Sequence, residues 1–265
     1  MKGLRYVAVS HPGAVRARNE DAWGLFNPGL EALTTGDGTI SGSTTFGERG
    51  LVLLVSDGMG GAKAGDYASR TIVETLHERL GKTAEDPEVQ IRAVLEVIHR
   101  RLIAESQEDA EKAGMGGTCT LGWFYPDGQL QLVHIGDSRF YRVREGELAL
   151  LTEDQTVAAQ FIASGDVTES EARNNRYWHV LLQAIGGGED RPIQPQSRKL
   201  RFRSGDRFFL CTDGVTDGLL DPQLLGFVQR RGRKTDLEGT GKALLEAALN
   251  ASGRDNITFL LGEVF

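Results

Sequence analysis

Cysteine is nearly missing from this 265-residue chain: only Cys119 and Cys211 occur, far apart and each inside an apolar run. A pair so placed supports neither a disulfide framework nor a thiolate metal site, and both read as small core residues. Positive charge is scarce as well, with 30 Lys and Arg against 37 Asp and Glu for a net charge of -7. Binding to nucleic acid or an anionic membrane surface needs clustered cations that displace counterions, so both are excluded as partners; acidity suits cations better. Long apolar runs are wanting too. The N-terminal MKGLRYVAVSHPG has no uninterrupted stretch of signal-peptide length, and nothing approaches the ~20 apolar residues of a membrane span. A soluble, cytoplasmic monomer is expected.

What is present suffices for a sizeable core, since 40% of the residues are hydrophobic. Short runs rich in aromatic and branched residues predict strands at 51–55, 118–124, 130–136, 139–143, 207–211 and 257–264. Turn sequences such as PDGQ (126–129) and REGE (144–147) join neighbours into hairpins, which implies antiparallel sheets. Helical periodicity appears at 64–80 (Ala68, Ile72, Leu76, Leu80) and again at 87–110 (Ile91, Val94, Leu95, Ile98, Leu102). Asp86 and Pro87 suit the cap and first turn of the second helix. Further helices are expected at 241–249 and 222–230. Paired helices between groups of antiparallel strands indicate a layered α+β fold rather than a βαβ repeat. With no internal repeat and no low-complexity linker, one domain over 1–265 is the simplest account. The Gly-, Thr- and Ser-rich segment 27–50 is expected to be a mobile excursion between two strands, and 152–180 a small helical flap.

Four acids stand where an apolar strand meets a Gly-rich turn: Asp57 in SDGMGG, Asp137 in HIGDSR, Asp213 in TDGVTDG and Asp255 in GRDN. A single Asp-Gly after a strand is ordinarily a turn, and Asp137 or Asp255 alone would be read so. Four together point elsewhere. Carboxylates converging at one sheet edge repel one another and are costly to bury, and a shared cation is the natural compensation. Oxygen ligands without His or thiolate select magnesium or manganese over zinc. Gly58, Gly60 and Gly61 then let the backbone turn sharply and bring a carbonyl to the ion. Near the N-terminus, GAVRARNED (13–21) is either an exposed charged loop or a site in which Arg16 clamps a phosphate while Glu20 and Asp21 hold water in an outer shell.

GAVRARNED, VSDGMGGAKAG, GGTCTLGW, HIGDSRFY, LLQAIGG, FFLCTDGVTDGL and GRDNITFLL stand in this order along the chain. The whole set, from Gly13 to Leu261, resembles the metal-dependent protein phosphatases (PPM, type 2C), in their compact bacterial form. The resemblance implies an αββα four-layer sandwich, two antiparallel β-sheets flanked by helix pairs, with two Mn2+ or Mg2+ ions in a cleft at one end. Carried over by position, Asp57 would bridge both ions with the Gly58 carbonyl on one of them, and Asp213 and Asp255 would hold the other. Arg16 would bind the substrate phosphate, and Glu20 and Asp21 would steady waters. Asp137 would help form a third metal site, Thr118 and Asp217 would support the water network, and Asn256 would position the Asp255 loop. Ions about 3.5 to 4 Å apart can share a water, lower its pKa and aim it at phosphorus.

The implied substrates are phosphoserine and phosphothreonine proteins, including a cognate bacterial Ser/Thr kinase. No phosphoenzyme is required, so neither cysteine is a nucleophile, and the five histidines (His11, His77, His99, His134, His179) read as helix-surface or core residues. Two positions depart from the family. Met59 stands where some relatives carry a candidate general acid, and Gln183 where many carry Arg. A non-catalytic metal- or phosphoprotein-binding adaptor is the alternative, disfavoured because every expected acid is present; a nuclease would need a basic groove that this chain lacks.

Overall fold

The computed structural model describes residues 3–60, 64–83, 85–173, 175–188, 191–229 and 236–265. The chain runs through β1 (Gly3–His11), β2 (Ala22–Phe26), β3 (Leu33–Thr34), β4 (Gly38–Thr45), β5 (Leu51–Ser56) and β6 (Gly58–Met59). Two helices, α1 (Ala64–Arg79) and α2 (Pro87–Glu108), precede β7 (Gly116–Gly117), β8 (Cys119–Phe124), β9 (Gln129–Ile135), β10 (Arg139–Arg144) and β11 (Glu147–Leu150). The short helices α3 (Val157–Ser164) and α4 (Glu169–Ala172) lead to β12 (Ile185–Gly186), β13 (Gln196–Arg201) and β14 (Arg207–Cys211). Last come α5 (Asp213–Thr216), α6 (Asp221–Val228), α7 (Leu237–Ala251) and β15 (Ile257–Val264).

Two six-stranded antiparallel sheets, ordered β11-β10-β14-β15-β1-β4 and β13-β9-β8-β5-β2-β3, pack face to face. Alternation along β5 explains its unbroken apolar sequence. Leu51, Leu53 and Val55 point between the sheets, while Val52 and Leu54 point to α1 and α2, so both faces are buried. The outer face of the second sheet is covered by α1 and α2, through the stripes Ala68-Ile72-Leu76-Leu80 and Ile91-Leu95-Ile98-Leu102. On the other side, α6 and α7 cover the first sheet around Phe209, Phe259 and Leu261. Four layers in the order αββα result, as expected from the resemblance.

Local signals are realised at several ends. The Asp86 side chain accepts from the Glu88 N–H at 2.9 Å, with Pro87 in the first turn of α2. Both cysteines are buried and unpaired, and burial pushes the Cys119 thiol up to about 12. The segment 27–50, expected to be a mobile excursion between two strands, is itself built partly of strands. It contains β3 and β4, and β4 pairs with β1 along its length, from Gly3↔Thr45 to Ser10↔Gly38. Alternating Thr and Ser in GTISGSTT suit an exposed edge strand, whose polar side chains hide the usual apolar signal. The flap expected at 152–180 does contain two short helices, α3 and α4.

Candidate metal centre

Strand register gathers the acids. Ala22 pairs with Ser56, Val55 with Thr120 and Cys119 with Ile135, so Asp21, Asp57, Thr118 and Asp137 lie at one end of the second sheet. Arg139 pairs with Cys211, Cys211 with Phe259 and His11 with Ile257, which sets Asp213, Asp255 and the Arg16 loop at the same end of the first. Between these ends opens a cleft of about 790 Å³, lined by Arg16, Glu20, Asp57, Gly58, Asp137, Asp213 and Asp255, with Thr118 beside them. Asp21 is buried behind it, where its Oδ2 accepts from the Thr212 hydroxyl at 2.8 Å.

Close backbone packing builds the cleft floor. The two-residue strands β6, β7 and β12 form a small third sheet, pairing Gly58 with Gly117, Met59 with Gly116 and Gly116 with Gly186. A Cβ on Gly58 would lie 2.1 Å from the Gly65 carbonyl and 2.4 Å from that of Glu20. Only glycine therefore fits beside Asp57. Gly61, the other half of the GG pair, lies outside the described residues. Thr118 is tied directly to Asp57: its Oγ1 accepts from the Asp57 N–H at 2.9 Å and its own N–H donates to the Asp57 carbonyl at 2.9 Å. Asn256 fixes the N-terminal loop, donating from Nδ2 to the Arg18 and Pro12 carbonyls at 2.8 and 3.0 Å and accepting from the Glu20 N–H at 2.8 Å. Its reach extends beyond the Asp255 turn where it was expected to act.

Electrostatically the cluster is strained without counter-charge. Burial, with repulsion from Asp21 and Asp213, pushes Asp57 well above the carboxylate range. Asp137 is raised well above that range by burial and by Asp213. Burial lifts Asp21 to about 8 although hydroxyl contacts oppose it, and raises Glu20 against the pull of Arg16. Glu20 Oε1, Asp21 Oδ1 and Asp213 Oδ1 are buried without a hydrogen-bond partner among the described residues. Orphaned carboxylate oxygens and a glycine cradle fit a hard divalent cation. One cation is already supplied by the chain, because Arg16 Nη2 contacts Asp255 Oδ2 at 2.7 Å.

Two histidines of the cleft were not foreseen. His179, from the flap, approaches Asp213 Oδ2 at 3.3 Å and Asp217 Oδ2 at 3.6 Å. The hydrogen bond to Asp213, with the charge of Asp217 and despite burial, raises it to about 9. Asp217 in turn accepts from Trp178 Nε1 at 3.1 Å and is lifted to about 6, chiefly by burial. Nothing in the sequence placed His179 near α5. His99 is different: it occupies the buried stripe of α2, one turn beyond Leu95, and a polar residue in an apolar stripe was the available signal.

An αββα sandwich with an acidic cleft at the strand ends defines the architecture of metal-dependent phosphatases. The family model described as Protein phosphatase 2C matches residues 40–250. The chain belongs to the protein phosphatase 2C family. It is 31% identical over 262 residues to the serine/threonine protein phosphatase PstP of Mycobacterium tuberculosis, an alignment covering 98% of this chain and 45% of that protein. This chain thus spans under half the length of that relative. Among solved structures, the S. agalactiae serine/threonine phosphatase superposes with a TM-score of 0.84 at 25% identity, covering 99% of this chain and 100% of the other. The catalytic domain of PstP in complex with two manganese ions superposes with a TM-score of 0.79 at 30% identity, covering both chains fully (100% each).

Proposed function

We propose that this chain is a manganese- or magnesium-dependent phosphoprotein phosphatase, a single domain acting on phosphoserine and phosphothreonine and opposing a Ser/Thr kinase. The observation that carries this reading is the convergence of Asp57, Asp137, Asp213, Asp255 and Glu20 on one cleft that also holds Arg16. Asp57 and the Gly58 carbonyl, with Asp213 and Asp255, are the groups that would hold two ions, and Asp137 would contribute to a third. Bound there, divalent ions supply Lewis acidity, which makes water a stronger nucleophile and draws charge from a phosphoryl group.

The protein's own part is placement. Thr118 pins the Asp57 backbone from both sides, and Asn256 holds the loop that carries Arg16 and Glu20. Arg16 binds the phosphate with its guanidinium, exchanging its contact with Asp255 for phosphoryl oxygens. A cytoplasmic monomer is the expected setting.

Hydrolysis of p-nitrophenyl phosphate and of a phosphothreonine peptide tests the reading. Turnover should require manganese or magnesium and vanish in Asp57→Ala. Metal binding and phosphopeptide binding without turnover would instead establish an adaptor.

A further inference from the structure

Beside the catalytic cleft lies a second, larger cavity of about 1150 Å³. It opens between the flap helices α3 and α4 and the body of the protein, and its rim includes Leu150, Leu182 and Leu220, exposed to 38, 38 and 49%. Helix α3, VAAQFIAS, is apolar along most of its length yet fully buries only Ala158. Among the described residues, three of the nine exposed large hydrophobic side chains line this one cavity: Leu150, Leu182 and Leu220. Scattered apolar residues need no explanation, but such a concentration around a cavity marks an interaction surface.

Continuity and charge identify the occupant. Leu182 and Gln183 line both the cavity and the cleft, forming a ridge between them. The ridge is held in place: the Leu182 N–H donates to the Gln155 carbonyl at 2.8 Å, and Gln183 Oε1 accepts from the Gln194 N–H at 2.9 Å. A chain whose phosphorylated residue sits at Arg16 can therefore cross Leu182 and enter the cavity. The cavity walls carry Glu153, Asp154, Glu169 and Asp221 against Arg139 and Arg173, an excess of two acids. Each arginine is paired with one of these carboxylates, Arg139 with Asp154 and Arg173 with Glu169, and Glu153 pairs with Arg198 from outside the lining, so that among the described residues Asp221 is the wall acid left without a cation. The remaining charge favours a basic neighbour over an acidic one.

We propose that this cavity docks the segment flanking the phosphorylated residue of a protein substrate, taking a bulky apolar side chain with a basic residue next to it. The inference rests on the phosphatase reading of the cleft and gives that site its sequence preference. The mode is that of an apolar anchor seated in a pocket outside the reacting centre, whose binding energy favours one substrate over another.

The test uses phosphothreonine peptides that are identical except for Phe-Lys or Ser-Glu at positions two to five residues away, on either side. The full chain is compared with Leu220→Asp and with Ala163→Trp, which fills the cavity. Fluorescence anisotropy reads peptide binding and p-nitrophenyl phosphate reads the cleft alone. The wild type should bind a Phe-Lys peptide about ten-fold or more tightly than the Ser-Glu peptides. Both variants should erase that preference while p-nitrophenyl phosphate turnover stays within about two-fold of wild type. Equal binding of all peptides by the wild type, or a preference untouched by both variants, would overturn the proposal. Absence of p-nitrophenyl phosphate turnover in manganese-loaded wild type would refute the phosphatase reading instead, and the binding comparison would still decide the docking site.

Discussion

His99 Nδ1 accepts the Gly186 N–H at 3.0 Å, while its Nε2 faces the Arg191 carbonyl at 2.9 Å. One buried imidazole on α2 thereby bonds to two residues of the cleft lining, Gly186 and Arg191. The arrangement fixes the tautomer, because Nδ1 must accept and Nε2 must carry the proton. Replacing His99 by Ala should leave the buried Gly186 N–H unsatisfied, at about 1 to 3 kcal/mol. Thermal unfolding would show this loss. Steady-state kinetics should show a KM for phosphopeptide several-fold higher with a smaller change in kcat, since His99 touches the wall and not the reacting group.

Arg16 should behave differently. Its guanidinium is half-exposed, so Arg16→Ala is expected to cost little stability. Its loss should lower kcat/KM for p-nitrophenyl phosphate by about 100-fold, the scale of removing one charged donor from a developing phosphoryl charge. Arg16→Lys keeps the charge but loses the two-pronged geometry, and should recover only part of the activity. Full activity in Arg16→Ala would remove it from phosphate binding.

Buried acids make stability depend on metal. A carboxyl whose folded pKa is raised contributes stability below its unfolded pKa and loses it as pH rises, so at neutral pH metal-free Asp57 is a burden. Asp57→Asn should therefore unfold a few degrees higher than wild type in chelator, on the order of 1 kcal/mol. Manganese at a hundred times its dissociation constant should stabilise the wild type by about 2.7 kcal/mol and the variant much less. Calorimetric scans with chelator and with manganese make the comparison.

How far the sequence foretold this arrangement depends on the kind of signal each part leaves. Stripes such as Ile91-Leu95-Ile98 were legible because burial on one face imposes a period, and SDGMGG was legible because glycine is forced where carbonyls crowd Gly58. Strand β4 was not, since an edge strand built of Thr, Ser and Gly carries no apolar alternation. β1 and β2 went unread as well, although both are almost wholly buried. The acids of the cleft could be proposed from their places at strand ends, whereas the approach of His179 to Asp213 arises from how the flap folds back over α5 and leaves no local trace. Asn256 shows the intermediate case: its place beside Asp255 was visible, but its grip on Pro12, Arg18 and Glu20 spans more than 230 residues of sequence.

His134 sets a pH dependence that is separable from the acid cluster. It lies wholly buried in β9, with Nε2 toward the Glu153 carbonyl at 3.2 Å, Nδ1 toward the Thr120 hydroxyl at 2.8 Å and the Asp154 carboxylate nearby. Burial depresses its pKa to about 4, outweighing the attraction of Asp154. The unfolded chain takes up a proton near pH 6.5 and the folded one does not until about 4, so stability is complete above 6.5 and falls as pH drops through that window. The loss approaches about 3 kcal/mol at its lower end. His134→Gln cannot titrate and should lack this component. Unfolding midpoints in urea for both proteins at matched pH and saturating manganese give the check, because contributions from the acids cancel in the difference. A difference that stays flat between pH 6.5 and 4 would mean that burial does not depress the titration of His134 in the folded protein.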